Sequence, residues 1–180
     1  MDSKPENTIR KWLRLRKEMS IGFYLSDFLF RKILRQNSGV SWAIHHTATI
    51  HCADKIIKGK NVFPGDSPGV YINAINGIRI GDYSNIGPNV GLLSANHNFI
   101  DNDAFDQAKP IIIGKHCWIG KDANILPEVE LGDFTIVGAG AVVTKSFTAG
   151  YCVIAGNPAR IIKELNQKEC LDFATRKQQS

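Results

Sequence analysis

The stretch IIIGKHCWIGKDANILPEVELGDFTIVGAGAVV, residues 111–143, decides the fold. Counting by six from Ile113 gives Ile119, Ile125, Leu131, Val137 and Val143, all aliphatic. Glycine follows four of these positions, at Gly114, Gly120, Gly132 and Gly138. A six-residue period fits neither the 3.6-residue turn of an α-helix nor the alternation of a sandwich strand. It fits a solenoid in which each hexapeptide supplies one short strand and one corner, and about three hexapeptides close a triangular coil. The aliphatic side chain then points into the prism and stacks on its equivalents above and below. The glycine is expected to relieve the corner by taking positive φ.

The same count runs back towards the N-terminus. From Ile44 it passes Ile50, Ile56, Val62, Pro68, Ala74, Ile80, Ile86 and Leu92. Only Pro68 and Ala74 depart from the aliphatic set, one within and one just after the glycine- and proline-rich Phe63–Val70. Between Leu92 and Ile113 the step is 21 residues, read as 18 plus three. A loop inserted between complete coils accounts for it, and the polar stretch Asn98–Pro110 is its place.

The flanks read differently. Ile9–Glu18 and Ile21–Gln36 mix large apolar and basic residues with little glycine. They predict two helices separated near Ser20–Gly22, with a stop at Ser38–Gly39. Gly156-Asn157-Pro158 is a turn signal, and Ile161–Lys177 predicts a helix that caps the open end of the solenoid. The chain divides into a helical extension (1–39), the solenoid (40–160, with the inserted loop 98–110) and a C-terminal helix (161–180).

Of 180 residues, 43% are hydrophobic and 22% charged, ordinary values for a globular protein. The net charge of +5 lies wholly in residues 1–38, which carry nine Lys/Arg against four acids; the other 142 residues carry 13 of each sign. Cys52, Cys117, Cys152 and Cys170 form no CxxC pair and read as free thiols in a reducing compartment. No secretory leader or membrane-length apolar run is visible, so a cytoplasmic location is expected, with the inner face of the membrane as a variant of it.

The interruption of the repeat is the first place to look for chemistry, because loops that break a regular solenoid are often functional. His97 opens it. An accessible histidine titrates near neutral pH and can act as general base, though the position equally suits a plain surface histidine.

Asn96-His97, the loop after it, Ile111–Gly120 with its Trp118-Ile119-Gly120, Ile136–Lys145 with its Gly138-Ala139-Gly140, and Ala155–Arg160 with its Asn157-Pro158-Ala159-Arg160 together resemble the hexapeptide-repeat O-acetyltransferases. That group contains galactoside, maltose and bacterial polysaccharide O-acetyltransferases, and the likeness covers roughly residues 60–165. It implies an all-β solenoid, a left-handed parallel β-helix with an N-terminal helical segment and a C-terminal helix. It implies acetyl-CoA as co-substrate, a sugar or polysaccharide precursor as acceptor, and homotrimers with active sites between subunits. His97 falls on the catalytic base. Asn89 falls on an asparagine that holds the acceptor, with a shorter spacing to the histidine than in the galactoside enzymes. Trp118 falls beside coenzyme A, and Lys121, Ala139, Thr144, Lys145, Arg160 and Lys163 fall along the cofactor groove. The lysines and arginine have chemistry suited to phosphate, but without the resemblance each equally suits a solvated surface. Cys117, beside Trp118, leaves open an acyl-enzyme.

His45, His46, His51, His97 and His116 invite a metal, but the spacing of His46 and His51 falls in the first coils, so no metal is expected. His45 and His46 read instead as exposed corner residues. No phosphate-binding GxxxxGK[ST] loop or nucleic-acid motif is present. An N-acyltransferase acting on an amino sugar and a non-catalytic scaffold are the alternatives to the O-acetyltransferase reading. Trp12, Leu13, Leu15, Phe23, Tyr24, Phe28, Leu29 and Phe30, set among nine cations, suit an anionic membrane surface. The preferred expectation is that they pack on the solenoid or a neighbouring subunit.

Overall fold

The computed structural model describes residue 16 and residues 19–178. Of the first predicted helix, Ile9–Glu18, only Arg16 is described; Trp12, Leu13 and Leu15 lie outside the described residues. The rest is a left-handed parallel β-helix of three sheets. Sheet A stacks Thr49–His51, Tyr71–Asn73, Gly91–Leu93, Asn124–Ile125 and Val142–Val143. Sheet B stacks Ile56–Lys58, Ile78–Ile80, Ile111–Ile113 and Glu130–Leu131. Sheet C stacks Asn85–Ile86, Trp118–Ile119, Thr135–Val137 and Cys152–Ala155 in parallel, with Arg160–Glu164 added antiparallel. The core is the stack of inward aliphatics: Ile113, Ile119, Ile125, Leu131, Val137 and Val143 are each at most 1% exposed. Burying each of these side chains is worth about 1.5–3 kcal/mol.

The register corrects the count in two places. Ile50 pairs with Ile72 and Ile72 with Leu92, so the first two coils take 22 and 20 residues rather than 18. Extra residues at Phe63–Val70 and at the corner before Ile78 push the aliphatics off the six-step, which is why Pro68 and Ala74 appear in their place. The loop, too, is inserted within a coil. Leu92 is in sheet A and Ile113 is in sheet B, the next strand of the same turn, so the 21-residue step is six plus fifteen. It lies at the corner between sheets A and B.

The expectation of positive φ at the repeat glycines also fails. Gly81, Gly114 and Gly120 are not left-handed; the left-handed corners include Tyr83, Asn89, His116, Asp122, Glu128, Phe134 and Tyr151, and of the glycines Gly69 and Gly140. What Gly114 and Gly120 provide is closeness. A Cβ on Gly120 would lie 2.6 Å from the Val137 carbonyl oxygen, and one on Gly114 would lie 2.6 Å from the Asp133 nitrogen. The spacing of stacked strands excludes a side chain there, whereas a left-handed corner costs an ordinary residue only modestly.

Helix α1 (Ile21–Asp27) starts at Ser20, whose hydroxyl accepts the Phe23 N–H at 3.0 Å, and continues as a π-helix over Phe28–Ile33. Buried Asp27 and Arg31 bolt it to the first coil. Arg31 donates two bonds to the Asp27 carboxylate (2.8 and 2.6 Å) and one to the Val40 carbonyl (2.9 Å), while Asp27 accepts the Ile44 N–H at 3.1 Å. Removing either partner would leave a buried charge unpaired, a loss of about 3–5 kcal/mol. Phe30 stacks on His46 at 4.8 Å, and Phe23 and Tyr24 are half-buried, as the packing reading expects. Phe28 and Leu29 depart from it, at 58% and 44% exposed. His45 and His46 stack on each other at 4.4 Å and are half-buried rather than exposed.

At the other end the predicted helix begins late. Arg160–Glu164 is a strand against Cys152–Ala155, because the last parallel strand needs its open edge paired and Ile161-Ile162 suits a strand. Helix α2 (Gln167–Gln178) follows, with Asn166 accepting the Glu169 N–H at 3.2 Å.

Candidate active site

The chain leaves sheet A at Leu93. Ser94 is still held to the coil below, its N–H donating to the Asn73 carbonyl at 2.9 Å. The loop then folds back on itself. His97 bridges antiparallel to Phe105, the Asp106 N–H donates to the Asn96 carbonyl at 3.0 Å, and the Asn98 N–H donates to the Ala104 carbonyl at 2.9 Å. The Asn98 side chain organises the tip: its oxygen accepts the N–H groups of Ile100 (2.9 Å) and Asp101 (3.0 Å), and its nitrogen donates to Asp106 (2.9 Å).

His97 is exposed, and its ring lies 4.4 Å from that of Phe105. Its Nδ1 is 2.6 Å from the Asn102 carbonyl oxygen. A carbonyl only accepts, so Nδ1 carries the proton. In the neutral ring Nε2 is therefore the basic nitrogen, which is the tautomer and orientation a general base needs.

Two residues that the sequence reading does not single out shape this edge. Asn76 donates through its side-chain nitrogen to the carbonyls of Ser94 (2.9 Å) and Asp106 (3.0 Å), tying both ends of the loop to the corner before Ile78. Phe105 supplies the surface under His97. The only signal of Asn76 in the sequence is a polar residue where the six-step is broken.

The other predicted residues fall into separate places. Thr144 and Lys145 leave sheet A at the same edge as His97, further along the prism. Thr144 lines a cavity of about 320 Å³ with Asn96, Asp106, Leu126, Pro127 and Glu128. Asn89, Lys121 and Ala139 lie at the opposite edge, the corner between sheets C and A. Here the Lys121 ammonium pairs with Asp122, and Lys121 first and Asn89 second hold the exposed Asp122 carboxyl below the usual range. The Gly140 N–H donates to the Lys121 carbonyl at 2.8 Å, stacking Ala139-Gly140 above Lys121 as exposed, nearly bare backbone.

Trp118 stands on the outer face of sheet C between Asn85 and Ile136, 55% exposed. It lines a cavity of about 410 Å³ with His116, Phe134 and Phe173. Arg160 and Lys163 are exposed on the antiparallel strand beyond it. Within one chain the structure thus gathers His97, Thr144 and Lys145 on one edge and Asn89, Lys121 and Ala139 on another. The width of sheet A separates His97 from Asn89.

Cys117 is 2% exposed, its thiol 3.3 Å from the Gly132 carbonyl, and burial pushes its pKa up to about 11. A thiol held protonated in the core is no nucleophile, which closes the acyl-enzyme question at this position. Among the described residues no group of three His, Cys, Asp or Glu is placed to hold a metal ion. No described helix is long and apolar enough to cross a membrane.

The family description "Bacterial transferase hexapeptide (six repeats)" matches residues 110–145. WcaF of Escherichia coli K12, named for acetyl transfer in colanic acid biosynthesis, is 35% identical over 115 residues, which are 64% of this chain and 62% of WcaF. The chain therefore spans about three-fifths of the length of that curated relative. Among solved structures, a maltose O-acetyltransferase from Clostridium difficile superposes with a TM-score of 0.60 at 31% identity, over 67% of this chain and 64% of that one. A hexapeptide-repeat acetyltransferase from Vibrio cholerae, solved with acetyl coenzyme A, superposes with a TM-score of 0.60 at 25% identity, over 67% of this chain and 66% of that one.

Proposed function

We propose that the chain, by its similarity to the hexapeptide-repeat acetyltransferases, moves an acetyl group from acetyl-CoA to a sugar hydroxyl in the assembly of a surface polysaccharide. The observation that carries this reading is His97, with Nδ1 fixed on the Asn102 carbonyl and Nε2 left as the base. An alcohol is a poor nucleophile while protonated. Nε2 takes the hydroxyl proton as the oxygen attacks the thioester carbonyl. Collapse of the tetrahedral adduct expels the coenzyme A thiolate, and the imidazolium returns the proton to its sulfur. No covalent enzyme intermediate is needed, in keeping with the buried Cys117.

The two edges of sheet A support a site shared between chains. His97 and its loop supply the base, and the bare corner at Ala139 with Lys121 supplies a groove for the pantetheine arm. A neighbouring chain in a homotrimer would bring the second edge to the first. Trp118 would pack beside the cofactor, and Thr144, Lys145, Arg160 and Lys163 would line the rest of its path, the three cations facing phosphate. Asn89 would meet the acceptor only across such a boundary, since a full sheet width parts it from His97 of its own chain.

The test is a panel of nucleotide sugars and oligosaccharides with acetyl-CoA, following thiol release. Release with hydroxyl acceptors supports the reading, and release only with amino sugars makes the chain an N-acyltransferase. Silence across the panel, together with no heat of coenzyme A binding in calorimetry, would leave a non-catalytic scaffold.

A further inference from the structure

The candidate active site does not use helix α1, yet that helix carries a row of uncovered apolar side chains. Ile21, Leu25, Phe28, Leu29, Ile33 and Leu34 are between 44% and 66% exposed. Leu25 in the α-helical part, and Phe28 and Leu29 where the π segment opens, follow Ile21 at intervals of four, seven and eight, which is one face for residues set by the α winding before them. From Phe28 the winding is π, and the Leu34 N–H donates to the Leu29 carbonyl, five residues back, at 2.9 Å. Residues five apart share a face in that winding, so Ile33 and Leu34 fall in line behind Phe28 and Leu29. In an ordinary α-helix the same five-residue step would turn them about 140° away. The π turn therefore extends the apolar row. The opposite face is committed to the solenoid through buried Asp27 and Arg31.

Charge points to the occupant. Lys32 and Arg35 are exposed beside the row. Residues 1–38 hold nine cations against four acids, whereas the remaining residues hold 13 of each sign, so a second copy of the chain offers no net negative partner. An anionic lipid surface offers both a negative sheet of phosphates and an apolar layer beneath it.

We propose that this face of α1 docks the protein peripherally on an anionic lipid surface. The apolar row enters the boundary between headgroups and acyl chains, and Lys32 and Arg35 meet the lipid phosphates. The helix is bonded to residues Val40 and Ile44 of the first coil, so the contact is made at that end of the prism.

The experiment is flotation of the full chain with vesicles of phosphatidylcholine alone or mixed with phosphatidylglycerol, at low and high salt. The expected result is recovery with the mixed vesicles, falling with salt and absent with phosphatidylcholine. Leu25→Glu with Phe28→Glu, and separately Lys32→Glu with Arg35→Glu, should each lower the bound-to-free ratio about tenfold or more. All four positions are exposed, so melting curves should match the wild type; if the apolar pair misfolds, the charge pair decides. Wild-type protein left unbound by mixed vesicles overturns the proposal, as does a charge-reversed variant that floats like the wild type. Loss of solution mass in Leu25→Glu with Phe28→Glu, without any flotation of the wild type, assigns the face to a second copy and overturns it equally.

Discussion

At one edge of sheet A the chain leaves the solenoid after Leu93 for a folded loop and returns at Ile111; at the other it turns the same tight corner in every coil. The first edge is polar and held by side chains: Asn76, Asn98, Asp106 and the Asn102 carbonyl fix a histidine in one tautomer. The second is held by backbone stacking, with Asn89 and Asp122 in left-handed corners and the glycine of Ala139-Gly140 above them. A solenoid is economical at making grooves, since each coil repeats the last. It is poor at placing a reactive group, since a repeat has no special position. Interruption supplies the special position, and regularity supplies the groove.

The comparison breaks most sharply at His97. His97→Ala should lower kcat by about 10²–10⁴-fold while calorimetry shows coenzyme A binding unchanged. Turnover near the wild-type level would mean that the interrupted edge is not where the chemistry occurs.

Next comes a test that both edges serve one site from different chains. Ala139→Trp should fill the groove and abolish cofactor binding without touching His97. Alone, each variant should be inactive. Co-refolded in equal amounts, the two should recover about a quarter of wild-type activity, because in a cyclic trimer some interfaces pair one intact edge with the other. No recovery in verified mixed assemblies would place the site within a single chain.

Stability should sharpen the same contrast. Ile119, fully buried in the regular coils, should cost about 2–5 kcal/mol on Ile119→Ala in urea unfolding. Phe105, 42% exposed in the loop, should cost well under that on Phe105→Ala, near the level of a surface change. Equal losses would show that the loop is part of the folding core.

The smallest effect concerns the third corner, where Tyr83, His116, Phe134 and Tyr151 stack at 4.7–5.6 Å. Burial first, then Lys177, lowers the His116 pKa from its ordinary value. A depressed folded pKa means that the neutral ring is favoured in the fold. Its stability is complete above the unfolded pKa of about 6.5 and is lost as pH falls through the folded value. His116→Phe keeps the stack and removes the titration. Its melting temperature should therefore hold up better than the wild type's below about pH 6, with little difference at pH 8. Parallel curves would assign the acid sensitivity elsewhere.

Much of this was legible in residues alone. Ile113 to Val143 at steps of six fixes a stacked core, because only a solenoid brings every sixth side chain to the same interior. The break after Leu92 marks an exceptional corner, and the polar composition of 98–110 locates it. The lower coils read less well, since a count by six cannot detect residues added at Phe63–Val70 until Ile72 is seen to lie over Ile50. The role of the glycines is hidden for a similar reason: a period shows that a small residue is required, but not whether φ or a neighbouring strand requires it.

The sequence by itself therefore determined the solenoid, the break in its repeat after Leu92 and the histidine at that break, because repetition and its failure are properties of the chain order; that the loop falls within a coil came from the register. Tertiary structure alone decided which residues share an edge. It put His97 and Asn89 on opposite sides of sheet A, sealed Cys117 in the core, turned Arg160–Glu164 into an edge strand, and wound Phe28–Ile33 so that its apolar residues align. Each of these depends on hydrogen bonds between positions far apart in the chain, or on a choice of winding, and neither leaves a period to count.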